Sequence, residues 1–256
     1  SGRERAVGAE TAGSEDAAPV SCEPCRQWVL EDHYPQGRPP LEMVGAEFVA
    51  DVAPYELMKL RILNGGHAAI AYPAALIGHH FVHDAMADPL IRAWLDTLER
   101  REIIPTLTAI PGVDFQAYRE KIIERFANPR VGDTIPRLCL DGSNRQPKFI
   151  LPTLRDALAA GRPIEGLALE VALWCRYCAG SDETGAAIAP NDDDHAELKA
   201  RALAARDDPA RFLGYTRIFG ALGDSAPFAT AFAAKLGNLW ADGVRPTLTA
   251  YVDAVR

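Results

Sequence analysis

The sequence predicts a mainly α-helical protein with a short strand-bearing segment ahead of its helices. Three observations carry this. After Pro54, apolar residues recur at helical spacing in one segment after another. Aspartate and aspartate–proline signals suited to helix starts precede several of those segments. The strand-like run MVGAEFVADV lies before Pro54.

Residues 1 to 18 are small, polar and charged without an apolar period, and are expected to form a disordered lead-in. Order is expected from near Val20. The stretch CRQWVLEDHYP gathers Trp28, Val29 and Leu30 and stops at Pro35, and QGRPPLE is a turn-rich connector. In MVGAEFVADV, Val44, Phe48, Val49 and Val52 stand among small residues and predict a strand. From Tyr55 to Ala71, the spacing of Leu57, Leu60, Ile62, Leu63 and Ile70 predicts a helix with Pro54 in its first turn.

Further helices are expected over 75–86, 88–103 and 114–127. Asp88-Pro89 supplies a cap and first-turn proline for the second, and Asp114 a cap for the third. Between these last two, PTLTAIPGVD is a proline-punctuated loop. Helices are expected again over 151–160 and 163–178, the latter strongly apolar. SDETGAAIAPNDDD is a polar loop, followed by helices near 193–206, 209–220 and 226–241. The expected organisation is a lead-in (1–18), a strand-bearing segment (19–53) and a helical domain (54–256).

A net charge of -8 lacks the basic footprint that nucleic acid requires. No apolar run has the length of a membrane span, so no membrane partner is expected. Five cysteines, an odd number, suit reduced thiols and a cytoplasmic setting. The pairs Cys22/Cys25 and Cys175/Cys178 stand much further apart than the ~15–20 residues usual between the pairs of a structural zinc site. His79, His80 and His83 lack the glutamate of a zinc-protease helix, and Asp192, Asp193 and Asp194 lack calcium-loop spacing. No metal is assigned. Nor does any G-x-G-x-x-G turn follow a strand, and Gly65-Gly66 lies inside a helical pattern.

The segment richest in chemistry is YELMKLRILNGGHAAIAY, residues 55–72. On a regular helix, steps of about 100° return His67 to within about 80° of Lys59 but leave Asn64 about 140° away. Asn64 shares their cavity only if the helix distorts, which the adjacent glycines make feasible. Oxidising a secondary alcohol needs a base for the hydroxyl proton as hydride leaves carbon. A lysine with a lowered pKa serves, and an amide and an imidazole hold the developing oxygen charge. Glu56, three residues before Lys59, is placed to pass the proton to solvent. The pattern alone also accommodates a snorkelling Lys59, a helix-capping Asn64 and a core His67.

The run PYELMKLRILNGGHAAIAY resembles the signature of the long-chain mannitol dehydrogenase family, which includes fructuronate and tagaturonate reductases. CEPCRQWVLED, GRPPLEMVGAEFVADV, HDAMADPLIR, ERFANP and DGSNRQPKFILPTLRDAL resemble it in the same order, so the likeness covers roughly 19–256. Cys25 departs from it, standing where an aromatic residue is expected.

The resemblance implies a helical domain like the C-terminal domain of 6-phosphogluconate dehydrogenase, preceded in 19–53 by the tail of a Rossmann domain. It implies Lys59 as acid–base residue, Asn64 as oxyanion stabiliser, His67 as substrate-orienting histidine and Glu56 as proton exchanger. Arg137, in TIPRLCLDGS, is implied to contact the sugar chain. On the residues alone, an ion pair with Asp133 four positions earlier accounts for Arg137 equally well. The resemblance further implies NAD held by an upstream domain, a polyol or ketose substrate of mannitol/fructose type, and a monomer. The alternatives are a hexuronate reductase of the same family, a non-catalytic helical module and a metal-binding helical protein.

Overall fold

The computed structural model describes residues 27–254, so the lead-in at 1–18 and the Cys22/Cys25 pair lie outside the described residues. The chain divides into two compact units, one ending at Val52 and the other beginning at Ala53.

In the first unit, β1 (Val29–Glu31) pairs in parallel with β2 (Glu47–Val49), Leu30 lying opposite Phe48. The expected strand over 43–52 is cut short. Leu41–Val44 winds as a 3-10 turn, and Gly45 ends it at φ 92°, a conformation that suits glycine. Arg38 braces the crossover: it binds Asp32 at 3.0 Å and Glu42 at 2.6 Å, and lies 3.3 Å over the Phe48 ring.

The second unit is helical. It opens with α1 (Ala53–Met58), which runs through a π-helical turn at Lys59–Asn64 into α2 (Gly65–Leu76). Ten of the twelve residues of α2 are buried, which explains its lack of an amphipathic pattern: a helix apolar all round belongs in the centre of a core. Then come α3 (Val82–Ala87), α4 (Pro89–Leu98), a second π turn at Glu99–Ile103, and α5 (Phe115–Phe126). Asp88 caps α4 by accepting from Leu90 N, and Asp114 caps α5 by accepting from Gln116 N and Ala117 N, as the sequence predicts.

The short α6 (Ile135–Leu138) and α7 (Gly142–Phe149) lead to α8 (Leu151–Ala159) and the buried α9 (Glu165–Cys178). After α9 come α10 (His195–Ala204), α11 (Ala210–Leu213), α12 (Thr216–Phe219), α13 (Ala226–Ala241) and α14 (Val244–Asp253). The core is centred on α2 and α9, which pack together, with α13 against α9 and α4 against α2. Trp94 locks α4 to α2 by donating to Ala69 O at 2.9 Å.

Several expected elements differ. The helix expected over 75–86 is broken because Gly78 adopts φ 88° and Phe81 is extended, bridging Thr134. The helix expected over 209–220 splits into α11 and α12 around Gly214. Sequence periodicity misses α6, α7 and α14. The first is a single turn, α7 contains Pro147, and α14 contains Pro246 near its start.

Candidate active site

The π turn decides which side chains share a face. Its wider i→i+5 winding advances roughly 82° per residue, so five steps leave Asn64 about 50° from Lys59 instead of 140°. Three α-helical steps then return His67 to within about 10° of Lys59. The distortion ends at Gly65-Gly66, where the absent side chains admit close neighbours. A Cβ on Gly66 would lie 2.8 Å from Glu99 Oε1 and 3.3 Å from Phe126. On the other side of the turn, the buried Arg61 anchors it, donating to Thr106 O at 3.0 Å and Thr106 Oγ1 at 2.6 Å and pairing with Asp156.

Asn64, His67, Ala68 and Tyr72 form one wall of a cleft of about 130 Å3, faced by Arg137, Leu138, Arg145 and Phe149 from α6 and α7. Asn64 makes no cap bond to α2, and its buried Oδ1 has no hydrogen-bond partner among the described residues. The capping role left open by the sequence is therefore not the one it plays. His67 stacks on Phe126 with ring centroids 4.4 Å apart. Burial lowers its pKa; Asp133 opposes this, Arg137, Arg125 and Arg145 reinforce it, and the result is about 4. His67 is thus a neutral imidazole at physiological pH, able to donate from one nitrogen and accept at the other.

Arg137 lines the cleft and also forms the ion pair with Asp133, through Nε and Nη2 to the two carboxylate oxygens. Burial pushes the Asp133 carboxyl up, but the Arg137 guanidinium outweighs it and holds the group below its ordinary value. Arg145 reaches back from α7 to the end of α6, donating to Arg137 O at 3.3 Å and Leu138 O at 3.0 Å. Both cleft cations are therefore already engaged with protein acceptors.

Lys59 and Glu56 are exposed, and neither lines this cleft. The sequence reading requires a buried lysine, whereas the described residues leave Lys59 exposed. Asn64, His67 and Arg137 are brought together, with Lys59 one turn and more away along the same face. Sequence reasoning misses Tyr72, Arg145 and Phe149. For Tyr72 a signal existed, since it follows Ala68 by four residues on the same helical face. For Arg145 there was none: its placement depends on the turn between α6 and α7, where Asp141 takes φ 59°.

The other signals have local partners. Cys175 and Cys178 are free thiols in α9, both pushed well up by burial. His79 lies 3.4 Å from Asp88, and His83 lies 3.4 Å from Asp84. Among the described residues no group of three or more histidine, cysteine, aspartate or glutamate side chains is set to hold a metal. No described helix is long and apolar enough to cross a membrane.

A dinucleotide cradle needs a strand that enters a helix through a glycine-rich turn. Here β2 is followed by Ala50, Asp51 and Val52 before α1, with no glycine. The described residues therefore do not fit a dinucleotide cradle.

Comparison with known proteins places this geometry. Residues 51–240 match the family model described as the mannitol dehydrogenase C-terminal domain. A mannitol 2-dehydrogenase of Cereibacter sphaeroides is 50% identical over 242 residues, covering 94% of this chain and 51% of its own length. A mannitol dehydrogenase of Saccharomyces cerevisiae is 40% identical, covering 99% of this chain and 51% of its own. The chain thus spans about half the length of the curated relatives it matches. Among solved structures, the Pseudomonas fluorescens mannitol 2-dehydrogenase in ternary complex with NAD and D-mannitol superposes with a TM-score of 0.88 at 38% identity, covering 99% of this chain and 52% of that one. A substrate-free D-sorbitol dehydrogenase gives 0.86 at 30% identity, covering 97% and 51%.

Proposed function

Because the chain belongs to the mannitol dehydrogenase C-terminal domain family, we propose that it is the substrate-binding and proton-transferring part of an NAD-dependent polyol dehydrogenase of the mannitol/fructose type. The observation that carries the proposal is the π turn at Lys59–Asn64, which turns Asn64 into the His67 cleft and towards the face that bears Lys59.

In this reading Lys59 takes the hydroxyl proton of a secondary alcohol, or returns it to a ketose carbonyl. Glu56, one helical turn earlier, exchanges that proton with water. Asn64 donates from its amide Nδ2 to the oxygen as charge develops on it. Neutral His67, held by the Phe126 ring, accepts from and donates to the neighbouring hydroxyls. Arg137 positions the sugar chain.

NAD, named with D-mannitol for the Pseudomonas fluorescens relative, supplies the hydride acceptor; its binding is assigned to sequence outside these residues. A cytoplasmic monomer completes the reading. A hexuronate substrate is disfavoured by charge. Its carboxylate would have to compete with Asp133 for Arg137 and with the α6 carbonyls for Arg145.

The test is NADH-linked fructose reduction by the chain with its upstream sequence restored, alongside Lys59→Ala. The restored chain should reduce fructose, and Lys59→Ala should lower kcat about 10²- to 10⁴-fold, the usual contribution of a general acid–base group. A Lys59→Ala protein with unchanged kcat would remove the proton-transfer role.

A further inference from the structure

A second cavity, of about 70 Å3, lies between α9, α10 and the loop over 180–192, and shares no lining residue with the Asn64–His67 cleft. Its apolar walls come from Trp174 and Tyr177 of α9, Leu198 of α10 and Ile188 of the loop. Backbone bonds fix that loop: Ile188 N donates to Gly180 O at 3.0 Å, and Asp141 N donates to Asn191 O at 3.0 Å. Asp192 ties it to α7 by accepting from Ser143 N and Ser143 Oγ, both at 2.7 Å. The cavity is therefore built into the fold, as preformed ligand sites are.

The polar groups left free in it are donors. Trp174 is 1% exposed, and its indole Nε1 has no hydrogen-bond partner among the described residues, although the atom is not fully sealed from solvent. The ring edge that bears Nε1 faces Gly142, part of the same cavity wall, where a Cβ would lie 2.6 Å from it. A buried N–H of this kind is costly unless an acceptor meets it. At the mouth, the exposed Lys199 lies along Gly180, where a Cβ would come within 3.2 Å of both Cε and Nζ. Its ammonium has no ion-pair partner among the described residues. Asp192, the one acid among the described lining residues, is already spent: besides the two bonds from Ser143, it accepts from Asp194 N at 2.9 Å.

We propose that this cavity binds a small monocarboxylate. The carboxylate accepts from the Trp174 indole N–H, and its short chain packs on the apolar walls. The Lys199 ammonium, on its four-carbon stem, is the counter-ion. A cavity of about 150 Å3 holds benzene, so roughly half that volume takes about three or four carbon atoms. The site goes beyond the polyol dehydrogenase reading and does not depend on it.

The probe is butyrate, titrated at constant ionic strength into this chain isotope-labelled at its tryptophan indoles, with butanol and butylamine as controls. The Trp174 indole N–H resonance is assigned by its loss in Trp174→Phe or, should that core variant not fold, by nuclear Overhauser contacts to the Gly142 α-protons. Butyrate should shift this resonance saturably and leave those of Trp28, Trp94 and Trp240 in place. Butanol should bind more weakly, and butylamine should not bind. Lys199→Met, a change on the exposed surface, should weaken butyrate about two- to fivefold, the worth of a surface ion pair.

A Trp174 resonance that does not respond to butyrate overturns the proposal. So does one that moves equally with butylamine, or that titrates identically in Lys199→Met. Because binding is read on the indole and not through turnover, failure of ketose reduction would leave this result standing, and the reverse.

Discussion

Glu170 should make the stability of this domain fall with pH, and the slope follows from its setting. The carboxyl is wholly buried on the central helix α9, and among the described residues the Gln146 amide is its one hydrogen-bond donor, at 2.7 Å. Burial raises its pKa from the ordinary 4.5 to about 8, with Gln146 opposing only in part. Between those two values the folded protein holds a proton that the unfolded chain has released. Stability is therefore unaffected below about pH 4.5, declines as pH rises, and levels off above the folded pKa of about 8.

At about 1.4 kcal/mol per pH unit, the full span costs the wild type roughly 5 kcal/mol, taken as an order of magnitude. Glu170→Gln removes the titration while keeping shape and the bond from Gln146. The assay is urea unfolding of both proteins at pH 5, 6, 7 and 8. The stability of the variant relative to wild type should climb with pH by about 1.4 kcal/mol per unit. His67 titrates in the opposite sense, its lowered pKa adding stability as pH rises from about 4 to 6.5. It is present in both proteins and cancels in the difference. Parallel stability curves would refute the reasoning, since they would mean that Glu170 is ionised in the folded state at pH 5.

Two further outcomes are expected. His67 should stay neutral through the physiological range: an NMR titration of its imidazole should show a midpoint near 4, and a midpoint near 6.5 would contradict the burial argument. The glycine pair should respond asymmetrically to alanine. At Gly66 the new methyl meets Glu99 Oε1 at 2.8 Å, so Gly66→Ala should cost about 1–3 kcal/mol of unfolding free energy. At Gly65 the nearest atoms are 3.7 Å away, so Gly65→Ala should be neutral or stabilising by up to ~1 kcal/mol in the same denaturation assay.

Much of the fold is legible in the sequence because its signals are local. The caps at Asp88 and Asp114 depend on a side chain and the two or three amides that follow it, and both form as expected. The helices over 151–160, 163–178 and 226–241 repeat an apolar pattern long enough to outlast end effects. What fails is short or proline-bearing. Gly78 at φ 88° ends a pattern that reads as continuous, and Pro246 conceals α14 although it sits where a helix tolerates proline.

The candidate site divides along the same line, and the π turn shows why. Lys59, Asn64 and His67 are readable as a chemical set, but regular helical geometry sends Asn64 away from the other two. The i→i+5 winding that reconciles them has no composition of its own. Its supports are distant in sequence: Arg61 is held by Thr106 and Asp156, and Gly66 is seated against Glu99, which lies in the second π turn. The only local trace is the glycine pair, which permits the distortion without requiring it. Arg145 is a step further removed, because it reaches the cleft through a turn that Asp141 makes in a left-handed conformation. The chemistry of the site thus sits on a helix the sequence announces, while its alignment is imposed by tertiary contacts. Changes at Arg61 or Glu99, which touch none of the cleft residues' chemistry, should therefore act on the geometry of all of them at once.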